Sequence, residues 1–126
     1  MLVAAAGTAL VLGTLAACGG GGGGDNSGCT PKGAGSGTAA TTIQVVSDPT
    51  TVGAYQPKTA TVKKGDSIEW DWTDQGSQHS VTADDGSFDS CLLSAGGKFT
   101  VTFSNGGTFN YHCTIHANMT GTITVS

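Results

Sequence analysis

The chain has 126 residues, room for one domain rather than two. Charged residues make up 11% of it, every basic residue is a lysine, and the formal net charge is −4. A weakly acidic chain without arginine is a poor nucleic-acid binder, and no nucleic-acid partner is expected, because phosphate contacts need a cationic face.

Residues 2–17 are almost entirely small and apolar. A comfortable membrane span needs about 20 apolar residues, so this stretch fits the hydrophobic region of a secretion signal instead. It ends in Leu15-Ala16-Ala17-Cys18. That order of residue types resembles the lipoprotein box of bacteria and archaea, in which the cysteine becomes the lipidated N-terminus after cleavage. Residues 1–17 are therefore expected to be a lipoprotein signal peptide and Cys18 the lipid-bearing residue. The plainer alternative is an ordinary signal with a chance cysteine. No lysine or arginine lies between Met1 and Cys18, where such signals carry positive charge. The expected location is outside the cytoplasm, on the periplasmic or outer-surface side of a prokaryotic membrane.

Glycine is frequent at 21 residues, but six of them form one run, residues 19–24. From there to about Ala40 the chain is mostly Gly, Ser, Thr and Asn. Residues 18–40 are expected to be the lipidated end and a flexible tether, with a typical reach of roughly 25 Å.

From Thr41 onward the pattern has period two. Strands are predicted around residues 42–46, 59–63, 67–72, 98–103, 108–113 and 120–125. In the third of these, Ile68, Trp70 and Trp72 share one face while Glu69 and Asp71 share the other, the alternation of a half-buried antiparallel strand. Trp70 and Trp72 are read as core packing. No stretch holds a helical period. Short strands separated by Gly, Asn and Asp turns predict an all-β sandwich over residues 41–126. Seven of the nine acidic residues fall between Asp66 and Asp89. They read first as a solvated loop face and alternatively as a docking face for a basic redox partner.

The chemistry sits in Tyr111-His112-Cys113-Thr114-Ile115-His116-Ala117-Asn118-Met119, which contains Cys-x2-His-x2-Met. Far upstream, His79 follows a strand in a polar loop. Two imidazoles, one thiolate and a weak thioether form the ligand set of a blue-copper electron-transfer site. The candidate metal ligands are therefore His79, Cys113, His116 and Met119. On a strand, neighbouring side chains point to opposite faces. If Tyr111 and Cys113 face inward, His112 faces out and is not a ligand.

These segments resemble the cupredoxins of the plastocyanin/amicyanin type, including lipid-anchored, halocyanin-like members. The resemblance rests on Val62-Lys63-Lys64-Gly65-Asp66-Ser67-Ile68-Glu69-Trp70, on His79-Ser80-Val81, on Ser87-Phe88-Asp89-Ser90, on residues 97–103 and on residues 107–113 leading into the ligand loop. It implies an antiparallel Greek-key β-sandwich and one copper ion cycling between Cu(II) and Cu(I). His79, Cys113 and His116 would be equatorial and Met119 axial, with His116 near the surface as the electron port. Three positions depart from the family pattern. Ile115 stands where Pro is frequent, Ser80 where many members have an Asn that braces the ligand loop, and Cys91 where Gly is common.

With Cys18 lipidated and Cys113 on copper, Cys29 and Cys91 remain. A disulfide between them is expected outside the cytoplasm, the alternative being two free thiols. The expected function is a monomeric shuttle for single electrons, meeting redox partners transiently and held to a membrane by its lipid. Ile115, Ala117 and Met119 would give its docking patch apolar character. A copper-trafficking protein is the alternative. An enzyme is not expected: three histidines cannot build a multicopper cluster, and no small-molecule substrate site stands out.

Overall fold

The computed structural model describes residues 28–126. The expected signal segment, Cys18 and the Gly run lie outside the described residues. Alternation of inward and outward side chains produces eight strands: β1 (Ala39–Asp48), β2 (Val52–Gln56), β3 (Thr59–Val62), β4 (Ser67–Trp72), β5 (Thr82–Ala83), β6 (Lys98–Thr102), β7 (Gly107–Cys113) and β8 (His116–Val125). They form two four-stranded sheets, in the orders β2-β1-β4-β6 and β3-β8-β7-β5. This is the all-β sandwich expected from the sequence.

The expectation of antiparallel pairing needs one refinement. Four of the strand pairs are antiparallel, whereas β1 with β4 and β3 with β8 run parallel. Parallel neighbours need a long connection that returns the chain to the same end. Here the connections supply it by crossing between the sheets: β2 and β3 intervene between β1 and β4, and β4 through β7 between β3 and β8.

The inward residues fill the space between the sheets. Ile43 and Val45 of β1, Ile68, Trp70 and Trp72 of β4, Tyr111 and Cys113 of β7, and Ile123 and Val125 of β8 are all buried. Each large apolar side chain so placed contributes about 1.5–3 kcal/mol. Trp70 is the hub, with the rings of Tyr111, Phe88 and Phe99 at 5.4, 5.8 and 6.4 Å between centroids.

Residues 29–38 depart from the tether reading. They run across the sandwich as a strap. Lys32 and Asp89 exchange backbone hydrogen bonds at 2.8 and 2.9 Å, and the Gly35 N–H donates to the Thr100 carbonyl at 2.7 Å. Cys29 is joined to Cys91 by a disulfide. The physical reason is that glycine here permits close approach: a Cβ on Gly35 would stand 2.5 Å from Thr102 Oγ1 and 2.9 Å from Thr102 N. The folded unit thus begins before residue 41.

Gly121 of β8 lies opposite Tyr111 of β7. Its missing side chain leaves room for the phenol ring, since a Cβ would overlap that ring and stand 2.7 Å from its Cε1. The ring cannot yield, because it is wedged between Tyr55 and Trp70 at 4.6 and 5.4 Å. Gly121→Ala is expected to destabilise the fold by about 1–3 kcal/mol in urea unfolding. An unchanged unfolding midpoint would show that the sheets can part to admit the methyl.

Candidate metal centre

Strand β7 delivers Cys113 to the interior because Tyr111 and Cys113 share its inward face. A tight turn through Thr114 and Ile115 follows, and β8 opens with His116 directly opposite Cys113. The hairpin therefore presents the thiol and the imidazole side by side, with His116 Nδ1 3.5 Å from Cys113 Sγ. His79 comes from elsewhere in the chain. Its backbone pairs with Leu93 through hydrogen bonds of 3.1 and 3.0 Å, and its side chain is 0% exposed. His79 Nδ1 lies 3.0 Å from His116 Nδ1. The donor atoms of His79, Cys113 and His116 all fall within 4.8 Å of one another.

Met119, three residues along β8 from His116, is 1% exposed. Gly53 of β2 locates its sulfur. A Cβ built on Gly53 would stand 2.7 Å from both His79 Nδ1 and Met119 Sδ. The imidazole and the thioether thus face one small space, which glycine keeps clear. Its burial removes Met119 from the expected apolar docking patch. Among the described residues, the exposed large hydrophobic side chains are Ile115 and Val52, at 52% and 51%. Val52 adjoins Gly53 and is a β-branched residue at φ 69°, a conformation that is rare for its type.

Ser80 ties the two ligand segments together. Its backbone N–H donates to Cys113 Sγ at 3.4 Å. Its hydroxyl oxygen accepts from the Thr114 N–H at 3.0 Å. The shorter side chain thus braces the ligand loop at the position where the resembling family often has Asn. Two aromatic donors hold the same segment from β2 and β4: the Tyr55 hydroxyl donates to the Ser80 carbonyl, and the Trp72 Nε1–H donates to the His79 carbonyl at 2.8 Å. Trp72 is core packing, as expected, and also a strut for the ligand.

One residue that sequence reasoning missed is Asp74. Its Oδ2 lies 2.6 Å from His79 Nε2, with the two side chains 4% and 0% exposed. In the sequence it is one more acid in a loop. The acidic run in fact divides by local use: Glu69 and Asp71 pair with Lys98, Asp66 accepts from the Lys63 N–H, Asp89 accepts from Thr82 and from the Cys91 N–H, and Asp84 pairs with His112. That last pair places His112 on the outer side of β7, away from the cluster, as the alternation requires.

The electrostatics favour metal-binding forms at the sulfur. Burial pushes the Cys113 thiol up, but hydrogen bonds from His79 and the Ser80 N–H outweigh it and hold the thiol below its ordinary value. The thiolate is the form that binds metals. Burial opposes charge on His79, yet contacts with Cys113 and Asp74 raise it above the usual imidazole value. A proton and a metal ion therefore compete for the same lone pair. His116 is lowered, first by burial and then by the neighbouring His79. One soft thiolate, two imidazoles and a thioether around one small space fit a copper ion better than zinc or a hard cation.

Comparison with known proteins agrees. The model of the family described as copper binding proteins, plastocyanin/azurin family, matches residues 41–126. A plastocyanin from Nostoc punctiforme is 36% identical over 89 residues, covering 57% of this chain and 64% of the relative, so the match spans less than two thirds of that protein. Among solved structures, a purple cupredoxin from Nitrosopumilus maritimus superposes with a TM-score of 0.55 at 26% identity, covering 66% of this chain and 98% of its own. The reduced state of an amicyanin mutant gives 0.57 at 23% identity, covering 77% and 92%, and so supports the fold alone.

The Gly53 gap gives a direct check. Gly53→Ala is expected to weaken copper binding at least tenfold in a competition titration, because the methyl would crowd His79 Nδ1 and Met119 Sδ. Unchanged affinity would show that the β1–β2 hairpin swings aside and does not shape the centre.

Proposed function

The chain belongs to the plastocyanin/azurin family of copper-binding proteins, and on that premise we propose that it is an extracytoplasmic carrier of single electrons whose copper is held by His79, Cys113, His116 and Met119. The observation that supports this most directly is the convergence of one donor atom each from His79, His116 and Cys113 within 4.8 Å. Copper, when bound, supplies the one-electron Cu(II)/Cu(I) couple. The protein's own contribution is rigidity. The hairpin fixes Cys113 and His116 relative to each other, and Ser80 fixes both to the His79 segment. A centre whose donors are held in this way needs little rearrangement when its charge changes by one. The Ser80 N–H on the sulfur draws electron density from the thiolate and so helps set the potential.

His116 is the proposed electron port. It is partly exposed and flanked by the exposed Ile115 and Ala117. Ile115 and Ala117 give the surface beside His116 an apolar character suited to brief encounters with redox partners, since weak electron-transfer complexes use small contacts. The protein would act as a monomer, without a substrate to turn over. We further propose a lipid anchor at Cys18. Copper trafficking is the second reading. The burial of His79, Cys113 and Met119 speaks against it, because metal transfer needs ligands that an acceptor can reach.

The test is to load the purified protein with Cu(II) and record its visible and EPR spectra. Intense thiolate-to-copper absorption with a narrow hyperfine splitting is expected, and Cys113→Ser should abolish both. A pale protein with wide splitting would overturn the electron-carrier reading. Met119→Leu should keep the absorption and raise the reduction potential, and an unchanged potential would remove Met119 from the ligand set.

A further inference from the structure

We propose that Asp74 is a positioning residue for the metal centre: it orients His79 through the ring nitrogen remote from the metal and, as a buried anion, biases the centre toward Cu(II). This rests on the copper reading given above and assigns what sets the balance of that same site.

The geometry carries the first half. A neutral imidazole has one N–H and one lone pair. With Oδ2 of Asp74 at 2.6 Å from Nε2, the proton belongs on Nε2, so the lone pair belongs on Nδ1. Nδ1 is the atom that faces His116. The carboxylate thereby selects the tautomer that presents a donor to the metal and fixes the plane of the ring. Asp74 is itself held in place. Its Oδ1 accepts from the Gly76 N–H at 2.8 Å, and its backbone N–H donates to the Val45 carbonyl of β1 at 3.2 Å. The metal-facing nitrogen is thus referenced through one carboxylate to the opposite end of the loop and to the first sheet.

The surroundings carry the second half. Asp74 is the one buried carboxylate among the described residues. Lys98, which neutralises acids on the same sheet, is engaged by Glu69 and Asp71 at 3.2 and 3.5 Å. The charge of Asp74 is therefore answered by His79, and through that ring by whatever cation the ring binds. A fixed negative charge bonded to a ligand ring favours the more highly charged metal ion. No such partner bonds the remote nitrogen of His116 among the described residues. The two histidines are unequal, and the bias enters by His79.

The experiment compares full-length, copper-loaded wild type with Asp74→Asn, Asp74→Ala, Asp74→Glu and the surface control Glu69→Gln. Asn keeps the shape and removes the charge. It should shift the reduction equilibrium toward Cu(I) at least tenfold, which is about 59 mV for one electron. Ala removes the brace as well and should weaken copper binding about 10- to 100-fold. Glu restores the carboxylate and should return the potential most of the way. Glu69→Gln should leave it unchanged, which separates a buried charge from net charge. Wild-type potential and affinity in both the Asn and Ala variants would overturn the proposal while leaving the copper reading intact. Wild type lacking thiolate-to-copper absorption would overturn that reading and this proposal with it.

Discussion

Every backbone and side-chain polar group of Ser80 is engaged. Its N–H goes to the Cys113 sulfur, its hydroxyl oxygen takes the Thr114 N–H, and its carbonyl takes the Tyr55 hydroxyl. Cys113 ends a strand of one sheet and Tyr55 belongs to a strand of the other. A single buried serine therefore links both sheets to the segment that carries His79. Each such bond is worth only about 0.5–1.5 kcal/mol net, but leaving a buried partner unsatisfied costs about 1–3 kcal/mol. Any displacement of one sheet against the other would strand several of these groups at once. The constancy of the metal centre is thus a property of the sandwich as a whole.

The elements most legible in the sequence are those whose two faces differ most. Strand β4 alternates aromatic and acidic residues, and β7 alternates Tyr111 and Cys113 with Asn110 and His112, so their inward faces can be read directly. The same alternation separates the ligand Cys113 from its neighbour His112. Strand β2 is not legible, because Val52-Gly53-Ala54-Tyr55-Gln56 offers small residues where a strand signal expects bulk. Those small residues answer to the centre: Gly53 is bare because His79 and Met119 occupy the space beside it. Strand β5 is two residues long and carries too little pattern to detect. The cluster of donors is legible from spacing because chemistry restricts which side chains suit copper. Its supports are not. Asp74, Tyr55 and Trp72 lie five or more residues from His79, and nothing in one dimension marks an acidic residue that will be buried.

Glycine composition did not foretell the strap. The run at residues 19–24 and the glycines at 33, 35 and 37 look alike as composition. Gly33, Gly35 and Gly37 nevertheless sit against Phe88, Thr102 and Ser67, at distances that leave no room for a side chain. Composition measures freedom in the unfolded chain, whereas the folded chain uses the same residue for contact. What reveals the contact role of Gly33, Gly35 and Gly37 is the partner surface, and that surface lies some tens of residues away in sequence.

The bond between Cys29 and Cys91 has a mechanical consequence. The strap beyond Cys29 is held to the sandwich by hydrogen bonds and close packing, which yield one after another when a chain is peeled from its end. A pull arriving from the chain before Cys29 does not reach them. It passes through the covalent link into Cys91, two residues from Leu93, whose backbone is bonded to His79. The load path enters the body of the domain and bypasses the strap. A protein tugged by its N-terminal end would take up the force beside its first ligand without unzipping β1.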